Sequence, residues 1–452
     1  MSYFIKNIQH ITDSLGAHDY PKGMCLRIDD HMITAMDSDL QPQPGDDIID
    51  AGDKVLMPGF VNTHHHLFQS VLKGINSGIN ERLFGWLNNV TFPRVSRTQP
   101  QHIRAGVQLG LAELMLSGTT TCADHHYIYY QDSDLAMGDI LFEEAERLGI
   151  RMVLCRGGQL RTDRDMEYPN KNTPPETLER YTGDIERLAA RYHQTGDTAM
   201  SKIVVAPNTP TFSLDPGMLK ELAAFARSQQ LRMHTHLSET ENYVEYCLNT
   251  HQCLPVEFVA EYDWIGEDVW FAHMVHLADE EIKILAETGT GISHCPSSNG
   301  RLASGIARVK QMDDAGVPVS IGVDGAASNE AAQMLSELRL SWLLQRAATR
   351  NAKDITIEKV TGWGTVNGAR LLGYDKLGLI RAGQVADFTL FSLDQLANFG
   401  MHETKYAPIA CGAASVHTLF CNGYPVVASG EIPGLDLDKL KADCEQAVRD
   451  LA

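Results

Sequence analysis

Between Leu56 and Asp324, eight short and mostly apolar runs alternate with longer stretches in which apolar residues recur every three or four positions. Short continuous apolar runs read as buried strands, and the longer spacing reads as amphipathic helix, so the alternation predicts parallel βα units. The runs are LMPGFVNTH closing at His64, TTTCADH at His125, RMVLCRGG at Gly158, KIVVAPN at Asn208, LRMHTH at His236, DVWFAH at His273, TGISH at His294 and VPVSIGVD at Asp324. The intervening segments, among them ILFEEAERLG and DEEIKILAETG, frequently stop at a glycine, which accepts the left-handed backbone that ends a helix. Eight repeats predict an α/β fold, a (β/α)8 TIM barrel over residues 58–370.

The two ends of the chain follow another pattern. SYFIKNI and MCLRIDDHMITAM near the start, and VADFTLFSL and VHTLFCNGYPVVASGE after residue 371, alternate in the manner of strands. Both tails are short and rich in turns, so they are expected to pair into one composite β-sandwich, residues 1–57 with 371–452, beside the barrel.

Composition narrows the partners. The chain has 452 residues, with 38 Lys plus Arg against 58 Asp plus Glu, a net charge of −20. That sign disfavours nucleic acid and anionic membrane surfaces. Nine cysteines are scattered with no C-x-x-C pair, which suits reduced thiols rather than a disulfide framework. The opening MSYFIKNIQHITD lacks a basic stretch followed by an apolar run, and no segment approaches 18 consecutive apolar residues, so a cytoplasmic protein is expected.

Candidate chemistry comes from where the polar residues fall. Every run except the third closes on His, Asn or Asp, and in a TIM barrel the strand ends form the rim that carries chemistry. His64 and His66 stand two apart, so the strand period puts both on the axis side and turns His65 away. His236 and His273 close two further runs and Asp324 closes the eighth. The set His64, His66, His236 and Asp324 supplies imidazole and carboxylate ligands for one divalent ion, zinc in the first place and iron as the alternative, and leaves a position open for water. Glu239, three residues past His236, is placed to face the same cavity as a proton shuttle. Cys247, His251 and Cys253 are read as structural, and His276, His294 and Cys295 as packing around the site.

PGFVNTHHH, HTHLSET, FAHMVHL, SHCPSSN and IGVDGAASN, in that order, together with NGARLLG and LGLIRAGQVADFTLF, resemble successive signatures of the amidohydrolase superfamily, in its branch of cytosine, guanine and adenosine-type deaminases. Within that branch HHHLFQSVLKG, ADHHYIYY, LCRGG and NFGMHE are similar to the isoxanthopterin and 8-oxoguanine deaminases. The resemblance implies a small heterocyclic substrate, a pterin or oxopurine, losing its amino group as ammonia to a metal-activated hydroxide, and it implies a homo-oligomer. Two-metal members of the family carry a lysine at the end of strand four; here that run ends on Asn208, which implies a single ion. In the implied chemistry Asp324 accepts the water's proton, Glu239 protonates the ring and His273 stabilises the developing alkoxide. Gln69 is expected to read a lactam edge, Trp86 and Tyr127 to stack on the ring, and Arg156 to grip a second oxo group. A triazine-type hydrolase and a non-catalytic scaffold of the same fold are the alternatives.

Overall fold

The computed structural model, which describes residues 2–12, 14, 18–161 and 170–452, turns the eight runs into eight parallel strands. They are β7 (Phe60–His65), β8 (Thr119–His126), β9 (Arg151–Arg156), β10 (Ser201–Val205), β11 (Arg232–Leu237), β12 (Val269–His273), β13 (Gly291–His294) and β14 (Val319–Ile321), hydrogen-bonded in sequence order. The ring closes between the first and the last: the Asp324 amide donates to the His64 carbonyl at 3.0 Å, and Asn62 Oδ1 accepts from the Val323 amide at 3.1 Å. The barrel is therefore a (β/α)8 TIM barrel, with helices such as Pro100–Leu116, Met137–Leu148, Leu178–Tyr192 and Met334–Thr349 as connections. No helix among the described residues is long and apolar enough to cross a membrane.

The first apolar run is two strands. Its Lys54–Pro58 part (β6) belongs to another sheet, and the chain passes into β7 at Gly59, where a Cβ would fall 2.5 Å from the Thr120 side chain. A glycine there leaves room for that side chain. Two sheets stand beside the barrel. One is built from β1 (Ser2–Ile8), β3 (Met24–Asp29), β4 (Met32–Asp37) and β5 (Asp47–Asp50) in the order β4-β3-β1-β5. The other joins both ends of the chain: β2 (His10–Ile11), β6, β15 (Phe388–Ser392), β16 (Ser415–Cys421) and β17 (Tyr424–Ala428) run in the order β17-β16-β15-β6-β2. Ile5, Leu26 and Ile28 from the first sheet and Leu56, Phe388, Leu390 and Phe420 from the second form a shared core, with Phe388 stacked on Phe420 at 4.7 Å between ring centres.

Parts of residues 371–452 also pack on the barrel. Leu371, Leu372, Tyr374 and Leu377 pack under the barrel with Val61, Ala123, Val153, Val204 and Trp270. The last helix, Leu437–Leu451, buries Leu440, Ala447 and Leu451, and lies by the barrel helix Pro100–Leu116. Arg94 Nε donates to the Leu451 carbonyl at 2.7 Å, and His102 meets Asp450 at 3.1 Å. The spacing of Leu440, Ala447 and Leu451 is that of a helix with one apolar stripe, which satisfies its burial on another helix rather than on a sheet.

Candidate active site

At the strand ends His64, His66 and His236 crowd together, with ring centres 4.7–5.3 Å apart. His65 turns outward, toward Gly110 of the surrounding helix. The hydrogen bonds set which nitrogen of each ring is free. His66 Nδ1 lies 2.6 Å from the His125 carbonyl and His236 Nδ1 lies 2.7 Å from the Asn208 carbonyl. Each Nδ1 therefore carries the proton, and each Nε2 lone pair faces inward. For His64 the same result arrives through a neighbour: His234 Nδ1 donates to the Trp270 carbonyl at 2.8 Å, so its Nε2 accepts from His64 Nδ1–H at 2.8 Å. His64 Nε2 is then a lone pair in a fully buried spot with no hydrogen-bond partner.

These groups fit a cation. His236 Nε2 and His66 Nε2 approach to 3.2 Å, and Asp324 Oδ1 lies 3.2 Å from His66 Nε2 and 3.5 Å from His64 Nε2. Burial holds His64 and His236 well below the usual histidine range, keeping them neutral as ligands must be. Burial opposes a charge on His66 too, but Asp324 outweighs it and raises that ring, so the cluster favours a positive charge at its centre. Among the described residues, the groups close enough to share one ion are His64, His66 and His236, and His64, His273 and Asp324. Cys247, His251 and Cys253 are not among them, and His251 packs on Phe258 at 4.3 Å.

Two of these residues sit on uncommon backbone. Asp324 has φ 61° and His273 has φ 74°, in the left-handed region that is uncommon for residues other than Gly and in which Asn, Asp and His are the best tolerated. Such conformations persist where the surroundings over-determine them, and they cluster at functional sites. His273 Nδ1 donates to Asn299 Oδ1 at 2.9 Å, leaving its Nε2 3.6 Å from Glu239 Oε2. Glu239 is buried, and that burial raises its carboxyl above the ordinary value, with the Asp324 charge adding to the rise and His273 opposing it.

Over this floor opens a cleft. Gln69, Trp86 and Tyr127 line it, as do His66, His236, Glu239, His273 and Asp324. Trp86 is oriented by its indole N–H on the Ala327 carbonyl at 3.1 Å, and Gln69 Nε2 donates to Tyr127 Oη at 2.9 Å. Gln69 Oε1 is left buried without a partner. Gly325 makes room for that amide: a Cβ there would lie 1.9 Å from Oε1. Arg156, expected to grip a second oxo group, is not among the described residues that line this cleft. Its guanidinium, fully buried, is held by Glu176 at 2.8 Å and Asp184 at 3.0 Å and lies over the Tyr129 ring at 3.7 Å. Four of its five N–H donors are engaged, by Asp184, Glu176 and the Gly157 carbonyl.

Several lining residues escaped the sequence reading: Leu83, Phe84, Leu87 and Phe92 as apolar wall, and Asn208, Thr209, Tyr243 and Ser328 as polar points. Asn208 closes a strand run and was legible as a rim residue. The others lie on connections with no periodic signal. His234, two residues before His236, shares its face by the strand period, and that spacing was the available sign of its support for His64.

The model of the amidohydrolase family matches residues 55–426. The chain belongs to the amidohydrolase family. It is 44% identical to an isoxanthopterin deaminase from an unknown prokaryotic organism, covering 100% of this chain and 97% of that protein. It is 39% identical to an 8-oxoguanine deaminase from Pseudomonas aeruginosa, covering 92% of this chain and 91% of that one. In three dimensions it is similar to atrazine chlorohydrolase TrzN from Arthrobacter aurescens TC1, solved with zinc, at TM-score 0.92 and 24% identity over 99% of this chain and 100% of that one. As an amidohydrolase, the chain brings its strand-end histidines and carboxylates to one cavity.

Proposed function

We propose that this amidohydrolase is an aminohydrolase that removes the exocyclic amino group of a 2-amino-4-oxo heterocycle, with isoxanthopterin as the substrate and ammonia as a product. One observation carries the reading: Glu239, a buried carboxyl with a raised pKa, stands beside the inward-facing nitrogens of His64, His66 and His236 at the floor of a cleft whose lining, among the described residues, holds no Lys or Arg. That described lining suits a neutral ring, and its amides and hydroxyls suit a lactam edge.

His64, His66, His236 and Asp324 would hold one divalent ion, zinc as in the related TrzN structure. When bound, the ion supplies Lewis acidity, which brings the pKa of water from about 15.7 to near 7. Asp324 takes the proton of the attacking water and then gives it to the exocyclic amino nitrogen, so that the C–N bond breaks and ammonia leaves as the ring carbonyl forms. Glu239 delivers a proton to the ring nitrogen next to the carbon that bears the amino group, for which a raised pKa suits it. His273, held through Nδ1 by Asn299 Oδ1, presents Nε2 for hydrogen bonding to the oxygen on the attacked carbon. Gln69 offers its unpartnered Oε1 to the ring edge, Trp86 and Tyr127 flank the ring, and the apolar wall keeps bulk water out.

The 44% relative favours isoxanthopterin, and the 39% relative keeps 8-oxoguanine as the second reading. Ammonia release from isoxanthopterin, 8-oxoguanine, guanine and an amino-triazine on one enzyme preparation tests both. A kcat/KM highest for isoxanthopterin is expected. A preference for 8-oxoguanine would move the assignment to the oxopurine, and no release from any ring would overturn it.

A further inference from the structure

Outside the lining of the cleft, on the helix Met334–Thr349, the carboxylate of Glu337 is 1% exposed. Its partners are neutral: Oε2 accepts from the Ser297 amide at 3.1 Å and Oε1 accepts from Asn329 Nδ2 at 2.9 Å. Burial pushes the carboxyl up to about 7 against these donors, and the Asp324 charge adds to the rise. Enclosing a carboxylate without a cation is costly, so its two hydrogen bonds call for a role.

Each bond leads to a residue of the active site. Asn329 Nδ2 also donates to the Val323 carbonyl at 2.8 Å, immediately before Asp324 with its φ of 61°. Ser297 lies in the short helix Pro296–Arg301, two residues before Asn299, which accepts His273 Nδ1–H at 2.9 Å. One buried carboxylate thus spans the segments following β13 and β14. We propose that Glu337 is a positioning residue that fixes Asp324 and His273 relative to each other by tying these two segments together. The inference rests on Asp324 belonging to a metal site, and it is independent of which ring is the substrate.

Glu337→Gln is the discriminating change, because a glutamine has one acceptor for two donors. The zinc dissociation constant by chelator competition, the absorption spectrum of the Co(II)-loaded protein, and kcat and KM are measured for wild type, Glu337→Gln, Asn329→Ala and the double variant. Glu337→Gln should weaken zinc binding or lower kcat by about 10- to 100-fold, the range found when a group orienting a metal ligand is lost. It should alter the Co(II) spectrum and leave KM within about twofold. Asn329→Ala should act in the same direction, and the double variant should be no worse than the more affected single one, since both act through one connection. Wild-type zinc affinity, Co(II) spectrum and kcat in Glu337→Gln, even with a lowered Tm, would overturn the proposal, as would single losses that multiply in the double variant. Should Glu337→Gln fail to fold, Asn329→Ala decides alone: unchanged affinity and kcat overturn it. Should wild type deaminate no ring, the proposed reaction falls, while the zinc and Co(II) measurements still decide the role of Glu337.

Discussion

Glu239 shows how much one side chain owes to its surroundings. In water a glutamate holds its proton too weakly to carry one at neutral pH, but burial raises this carboxyl while His273 and Asp324 pull in opposite directions. Its Oε2 lies 3.6 Å from His273 Nε2 and its Oε1 3.5 Å from Ser304 Oγ, so neither neighbour holds it tightly and it is free to turn toward a ligand. Glu239→Gln keeps the shape and removes the titrating group. It should retain metal at wild-type stoichiometry while kcat falls by at least about 10²-fold, the usual scale for general acid–base catalysis. Metal analysis and steady-state kinetics on the same preparation check both halves. Turnover near the wild-type rate would assign the proton transfer to another group.

Among the elements, the end of β9 shows where a plausible reading of sequence fails. An arginine closing a barrel strand invites a ligand, yet Glu176 and Asp184, which hold Arg156, stand 20 and 28 residues further along the chain. Nothing local marks them as its partners. Their effect is to pin the approach to the helix Leu178–Tyr192 against β9, aided by Tyr181 Oη on the Arg156 carbonyl at 2.8 Å. Arg156→Met would break two buried ion pairs and leave Glu176 to Arg180 at 3.4 Å and Asp184 to Arg187 at 2.9 Å, so the loss should stay below the about 3–5 kcal/mol of a buried charge left with no partner. Denaturant titration should show that loss, and kcat/KM for isoxanthopterin and for pterin, which lacks the second oxo group, should change by the same factor. A selective fall for isoxanthopterin would return Arg156 to the substrate. Other features were legible because they rest on local rules: apolar runs closing on His or Asp marked the strand ends, and the two-residue spacing separated His64 and His66 from His65. The division of the first run at Gly59 was hidden by continuous apolar residues on both sides of it. The lining by Leu83, Phe84 and Tyr243 depends on how long connections fold back over the rim, which periodicity does not report.

At the scale of the whole molecule, the proposed metal site and the closure of the barrel are one feature. His64 and His66 come at the end of the first strand, His236 from the fifth, and Asp324 follows the eighth, whose junction with the first is carried by the Asp324 amide on the His64 carbonyl. A cation held by these side chains would bind across that seam, and the buried lone pair of His64 Nε2 and the 3.2 Å approach of His66 and His236 are then relieved by the same ion. An ion that binds the folded chain alone stabilises it by RT ln(1 + [L]/Kd), about 4.1 kcal/mol when free metal stands at 1,000 times Kd. For chains of roughly 150–250 residues each kcal/mol moves Tm by about 2–4 °C, and less for a larger one, so stripping the metal should lower Tm by several degrees and adding zinc back should restore it. His236→Ala removes an inward nitrogen from a residue that closes no backbone seam. That variant should purify folded, with metal content and activity lost together, and its Tm should no longer respond to chelator. Metal at wild-type stoichiometry in His236→Ala, or a wild-type Tm unmoved after metal analysis has confirmed removal, would show that the ion does not bridge these strands.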